Sequence, residues 1–545
     1  MRRISSVERR TGDTPGPAPA EPREMRLFVA LWLALSVAAV LPIFLVRYAP
    51  LYDYYNWVYQ GRIVADLLHA GPDAYASAHR YYDLSQTPTP NTLAPVGTGL
   101  LTMIMSSDAA GRVFLGASVL LFAGGYAYLV RTMQGRPTVM ELFGFPWAAG
   151  YFYYKGYESY LFSLPVAFIA IARLHRIYAR RSPGPTVTEL AALTLLGAVL
   201  FLCHLIGWLV FAAALAAYGV ALVRRGDWRW ATQVAATTAP TLVMLLIYTV
   251  SRMQDHTVAT IYYRHLGFSV DKLVSMMDPL MLFLRTDPFP SIVPLFPVNV
   301  AALALLALIV VVNVERWHPS VPTFVVASML SAGALLIPFA NFSDLNRPDE
   351  RLVLPALLMG LAALPWKAFS ARRGAGLALV VAGIFTFHFA ADTHASRLAL
   401  RISDATAAVV PADASVLTLT INEGALHGGC TGNAGPTTGP MTLLWLDLRR
   451  LEHAPLRKVD LLETSLVRAR SVDPAGPALA VLPAWGDLIR SQPDLPAQLA
   501  AQYPWVEVFG CQGAVDDVTA RFSGSYQRIA AGDNYAVLAA PPGAP

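Results

Sequence analysis

The stretch LTLLGAVLFLCHLIGWLVFAAALAAYGVALVRR, residues 193–225, places two apolar runs on either side of one histidine and ends in two arginines. The runs, residues 187–203 and 205–223, suit helices that rise about 1.5 Å per residue through a hydrocarbon layer of about 30 Å. A surface helix of a soluble domain would carry a polar face, and neither run has one. Read as a hairpin of two membrane helices, the stretch puts His204 at one face of the bilayer and Arg224 and Arg225 at the other.

The rest of the chain repeats this pattern. Of its 545 residues 55% are hydrophobic and only 14% charged, where soluble domains carry about 25% charged residues. Similar runs occupy residues 27–46, 111–131, 138–153, 158–173, 230–250, 293–314, 321–341, 351–366 and 374–391, giving about eleven spans with the opening pair. The first run lacks a small-residue cleavage site and is read as a retained helix. The net charge of +5 is small, and its arginines gather in short loops, which orients a membrane protein and argues against a nucleic-acid partner.

Those arginines predict the topology. With Arg2, Arg3, Arg9 and Arg10 in the cytoplasm, every second loop is basic: Arg131 and Arg136; Arg173, Arg176, Arg180 and Arg181; Arg224, Arg225 and Arg229; Arg316; then Lys367, Arg372 and Arg373. This is the positive-inside pattern of an N-inside, C-outside chain. The expected fold is therefore mainly α, a polytopic transmembrane bundle with a small C-terminal extracytoplasmic α/β domain. Residues 1–26 form a disordered cytoplasmic tail, 27–392 the helical domain with a long external loop at 47–110, and 393–545 the external domain. In that last region strand-like stretches (415–421, 478–485, 505–511, 535–541) alternate with helix-like ones such as 487–503. Cys430 and Cys511 fall there, in an oxidising compartment; a Cys430–Cys511 disulfide and two unpaired buried thiols are both open readings.

No P-loop, dinucleotide glycine fingerprint, HExxH or paired CxxC occurs, which argues against nucleotide-driven transport and zinc hydrolysis. What remains is polar residues on the outer side: Asp53, Asn56 and Arg62 in LYDYYNWVYQGRI (51–63); Lys155 and Glu158 in YFYYKGYESY (151–160); His204; Arg264; and Arg347, Asp349, Glu350 and Arg351 in NFSDLNRPDER (341–351). Any one of these is accounted for by a solvated loop charge or a structurally bonded histidine. Their gathering on one face of a membrane bundle points to a site, because ionisable groups there are costly unless paired or hydrated.

Five stretches together resemble a group of bacterial polytopic proteins. LYDYYNWVYQGRI is similar to that group's D-x-x-N-H-x-A-R segment after the first span. TLAPVGTGLLTMIMSSDAAGRVFLGASVLL (92–121) is similar to the stretch before and into its second. YKGYESYLFSLPVAFIAIARL (154–174), FLCHLIGW (201–208) and NRPDERLVLPALLM (346–359) resemble its G-F-x-N-Y-L-F-G-L-x-L, A-H-L-F-A and D-x-R-x-x-x-P-x-x-L segments. The group's architecture resembles the GT-C superfamily of integral membrane glycosyltransferases, which use lipid-phosphate-linked sugars. The resemblance implies an inverting transferase in a bacterial plasma membrane, with Asp53 as general base on an acceptor hydroxyl. Arg347 and Arg351, with Arg62 and Arg264 behind them, are the candidates for binding the donor phosphate, and Asn56, Glu158, His204 and Asp349 for support. Its partners are a polyprenyl-phosphate-linked donor, a glycan, lipid or protein acceptor, and membrane lipids; no organic cofactor is implied, and a divalent cation stays open without a paired acidic motif to support it. Two departures stand out. The N-H pair reads Asn56-Trp57, and Asp53 lacks the paired-acid or D-x-D form that would hold a divalent metal. A non-catalytic scaffold or receptor, and a transporter of lipid-linked glycans, remain the alternative classes.

Overall fold

The computed structural model describes residues 22–49, 51, 53–69, 82–180, 184–254, 272, 276–283, 295–317, 319–337, 341–342, 345–346, 348–411, 414–420, 458–459, 467–469, 478–482, 495–509, 512–532 and 535–541. Among these residues the chain passes back and forth between two ends of one helical bundle. α1 (Pro22–Leu45) makes the first pass. At its far end lie α2 (Tyr54–Leu68), the short strand β1 (Tyr82–Leu84) and α3 (Leu93–Thr102), and α4 (Ser107–Gln134) then runs back. The first turn of α4 is tied to the end of α1, where Arg112 donates to the carbonyls of Ile43 (2.6 Å) and Arg47 and to Asp108 (2.7 Å). These satisfy carbonyls that the end of α1 leaves without helical partners.

Residues 138–153, expected as one span, are not one helix. They form a 3-10 turn (Val139–Phe143) and two short helices, α5 (Gly144–Ala148) and α6 (Tyr151–Tyr154). Pro146 and Gly150 explain the break, since one lacks an amide donor and the other sits in extended backbone. The pieces still traverse the bundle. Thr138 pairs with Ala368 at one end, and the Lys155 carbonyl accepts the Asp53 N–H (3.1 Å) at the other.

The remaining passes are α7 (Glu158–Ala179), α8 (Val187–Cys203), α9 (Leu205–Arg224), the pair α10 (Trp228–Ala236) and α11 (Ala239–Gln254), α12 (Leu295–Asn313), α13 (Val321–Leu336), α14 (Pro348–Ala363) and α15 (Ala371–Ala407), with the hairpin β2 (Asn341–Phe342) and β3 (Leu345–Asn346) before α14. Six helices among the described residues are long and apolar enough to cross a membrane: α1, α4, α7, α9, the continuous run Trp228–Ser251, and Ala371–Thr393 of α15. Small residues set the packing in several places. A Cβ on Gly125 of α4 would lie 2.7 Å from the Cβ of Pro165 in α7, so the two backbones approach as closely as small residues allow in membrane bundles.

α15 has 37 residues, about 55 Å of helix, which exceeds a hydrocarbon core. The boundary expected at 393 lies inside it. Beyond it stands a six-stranded sheet in the order β5-β7-β4-β8-β10-β9: β4 (Val416–Thr420), β5 (Lys458–Val459), β7 (Ala478–Leu482), β8 (Trp505–Phe509), β9 (Gln527–Gly532) and β10 (Tyr535–Ala539). β4, β5, β7 and β8 are parallel, and β10 joins antiparallel to β8 and β9. α16 (Leu495–Gln502) and α17 (Gln512–Phe522) accompany the sheet, whose core buries Leu417, Leu419, Val506, Val508, Val515, Val518 and Phe522. One strand of this region reaches back: β6 (Val467–Ala469) pairs antiparallel with β1 of the first loop, Asp83 opposite Arg468.

Candidate functional site

Asp53 occupies the N-cap position of α2, and its carbonyl accepts the Asn56 N–H (3.1 Å). Its own N–H is fixed from a distant part of the sequence, by the Lys155 carbonyl. Gly156 makes that approach feasible: it has φ +67°, and a Cβ there would meet the Asp53 amide nitrogen at 2.6 Å. Its carbonyl accepts the Trp57 indole N–H (2.9 Å). The turn 155–157 and the start of α2 are thus pressed backbone to backbone, which requires a glycine. Burial pushes the Asp53 carboxyl up to about 7, against the pull of Arg351 and then of Lys155.

Arg351, 6% exposed, comes to this place from the first turn of α14. Its guanidinium lies 4.3 Å from the centre of the Tyr157 ring. Its Nη1 sits 2.6 Å from His204 Nε2, and its carbonyl accepts the Tyr160 hydroxyl (2.6 Å). A second donor converges on the same imidazole, since the Ile206 N–H lies 3.1 Å from His204 Nδ1. Burial and Arg351 hold His204 well below the ordinary imidazole range, and a neutral ring offers one lone pair, not two. Among the described residues the Arg351 Nε is buried and has no acceptor. An open donor on a planar guanidinium suits the oxygen of an anion.

The other predicted residues divide. Glu158, fully buried in the first turn of α7, has no hydrogen-bond partner among the described residues for either carboxyl oxygen. Asp349 is buried in the first turn of α14, next to Glu350, which accepts the Tyr151 hydroxyl. The Asn56 Oδ1 accepts from Gln60 (3.2 Å) on its own helix. Arg62 lies nine residues along α2 from Asp53, about 13 Å of helix rise, with its Nε 3.0 Å from both oxygens of Asp66; it is engaged there, away from Arg351. Arg264, Arg347, Cys430 and Cys511 lie outside the described residues. Cys203 is a free, buried thiol beside the site.

Sequence reading missed the tyrosines. Tyr157 stacks on Arg351, Tyr151 bonds Glu350, and Tyr154 contacts His388 and Asp392 of α15. The signal was the run YFYYKGY itself, too tyrosine-rich for a lipid-facing helix, but its partners come from α14 and α15 and no local spacing announces them.

No family model matches the chain, and no curated protein matches it. A solved structure of ArnT from Cupriavidus metallidurans, bound to undecaprenyl phosphate, matches with a TM-score of 0.52 at 14% identity, over 95% of this chain and 98% of that one. At that identity the likeness speaks for the fold alone. The chain is a multi-pass membrane protein whose fold is similar, along nearly its whole length, to that of ArnT.

Proposed function

We propose that this protein is a membrane glycosyltransferase that moves a sugar from a polyprenyl-phosphate-linked donor to an acceptor hydroxyl, with inversion, on the extracytoplasmic face. The observation that carries the reading is the meeting of Asp53 with Arg351, Tyr157 and His204 at one end of the bundle. The fold supports it: a protein of similar fold was solved with undecaprenyl phosphate bound. In this reading Arg351 takes the donor phosphate through its planar set of donors. Tyr157 and His204 keep the guanidinium in place. Asp53, in its ionised form, takes the proton from the acceptor oxygen as that oxygen attacks the anomeric carbon, and the lipid phosphate departs as the leaving group. The donor is already activated, so no nucleotide is needed. Arg347 and Arg264 are further phosphate candidates, Arg62 a more remote one, and Asn56, Glu158 and Asp349 support the base and the cation. The Arg-rich loops at the opposite end of the bundle support assigning that end to the cytoplasm.

Lipid-linked and surface glycans should be compared in a deletion strain and in a strain carrying only Asp53→Asn. The reading expects the same glycan to lose one sugar in both; normal glycans in the Asp53→Asn strain refute Asp53 as the base.

A further inference from the structure

The hydroxyls of α6 point to a second layer behind the site. Tyr154 stacks on His388 (ring centres 5.0 Å apart, 28° between planes), its hydroxyl contacts His388 Nδ1, and the same hydroxyl donates to Asp392 Oδ1 (3.2 Å). His388 and Asp392 are four residues apart on α15 and share one face of the helix. Phe283 packs against the imidazole at 4.8 Å. All three polar side chains are buried, and His388 Nε2 has no partner among the described residues. With the Tyr154 proton on the carboxylate side, the imidazole proton sits on Nδ1 and donates to the phenol oxygen, so each of these groups is used once.

This cluster does not reach Asp53 through its side chains. It holds Tyr154, the residue before Lys155 and two before Gly156, and these two carry the carbonyls that accept the Asp53 N–H and the Trp57 indole. Three residues earlier, Tyr151 is held by Glu350, the neighbour of Arg351, and its N–H by the Met281 carbonyl (3.3 Å). A four-residue helix has no stability of its own. α6 is therefore fixed by its two tyrosines to α14 and α15, and the turn that follows it fixes Asp53.

We propose that Tyr154, His388 and Asp392 are positioning residues that set Asp53 through the turn 155–157. The proposal rests on the glycosyltransferase reading. It uses no group that touches substrate, and its loss would leave Arg351 with its His204 contact and its carbonyl bonded by Tyr160.

The test is steady-state transfer by purified protein, using polyprenyl-phosphate-linked hexoses and pentoses as donors, for wild type, Tyr154→Phe, Asp392→Asn and the exposed control Thr386→Ala on the same helix. Both cluster variants should lower kcat by about tenfold or more, the scale of a misplaced reacting group. Donor KM and the binding of undecaprenyl phosphate should stay within about twofold, since Arg351 keeps its bond to His204. The acid limb of the pH profile should move downward as water reaches Asp53, and Thr386→Ala should behave as wild type. Asp392→Asn is nearly isosteric and serves if Tyr154→Phe does not fold. Wild-type kcat in both cluster variants overturns the proposal. So does a parallel loss of kcat, phosphate binding and melting temperature, which marks a merely structural role. Absence of transfer by the wild type from every donor refutes the underlying reading and the positioning role with it, and is told apart from the first two by the wild-type row alone.

Discussion

The two ends of the bundle treat charge differently. At the end opposite Asp53, acids and bases close on each other: Arg131 with Glu141 (2.8 Å), Arg136 with Glu315 (2.6 Å), Arg180 with Glu189 (2.6 Å), and Arg225 with Asp227. Gln134 clamps the backbone at both atoms of its amide, donating to the Leu364 carbonyl (2.9 Å) and accepting from the Trp366 N–H (3.1 Å). At the Asp53 end Arg62 pairs with Asp66 (3.0 Å) and Arg112 with Asp108 (2.7 Å), but among the described residues Glu158 and the Arg351 Nε are buried without hydrogen-bond partners, and the Asp53 carboxyl is pushed up to about 7. Buried polar groups are ordinarily bonded, and exceptions gather where a function needs them. Both ends therefore hold ion pairs, and the contrast lies in the buried carboxyl and guanidinium groups left open beside Asp53.

Substitutions can break this contrast. The largest effect should come from Asp53→Asn, which keeps the shape of the side chain and removes the base: turnover by purified protein should fall by about 10²–10⁴-fold with undecaprenyl phosphate binding retained. Next, Arg351→Lys should weaken undecaprenyl phosphate binding by about 10- to 100-fold, as expected for a lost charge-assisted hydrogen bond. The ammonium lacks the planar fork that serves His204, the Tyr157 ring and an oxyanion together, and titration with the lipid phosphate measures the loss.

Glu158→Gln replaces a buried carboxyl that has no hydrogen-bond partner among the described residues, so the melting temperature should rise or hold, whereas most substitutions at a fully buried position lower it. A marked fall in melting temperature would mean that the carboxyl itself stabilises the fold. The smallest effect belongs to the opposite end. Arg136→Ala opens a partly exposed ion pair worth no more than about 1 kcal/mol, and transfer should be unchanged within about twofold, by the rule that distant sites act independently.

The fold was legible where one residue type decides it. The apolar runs of residues 187–225 and the alternating arginines gave the bundle, and the strand-like stretches at 415–421, 505–511 and 535–541 became β4, β8 and β10. The broken pass at 138–153 was not legible from hydropathy, because Pro146 and Gly150 act on backbone geometry while the composition stays apolar. Of the site, Asp53, His204 and Arg351 stood out as polar residues next to apolar runs. Tyr157, Tyr151 and Tyr154 did not, since an aromatic belt at a membrane interface has the same composition. His388 and Asp392 sit within or at the edge of the last apolar run, and their spacing names a helix face but not the tyrosine more than 230 residues away that meets it.

The dependence of turnover on pH tests the central claim most directly. A carboxyl whose folded value is about 7 against an ordinary 3.8 keeps its proton in the fold while the unfolded chain has lost it. Stability therefore falls as pH rises between about 4 and 7, and the ionised base appears over the upper part of the same interval. Wild-type kcat should rise about tenfold per pH unit below 7 and level above it, with no such limb in the residual activity of Asp53→Asn. A limb near 4, or the same limb near 7 in Asp53→Asn, would contradict Asp53 as the general base.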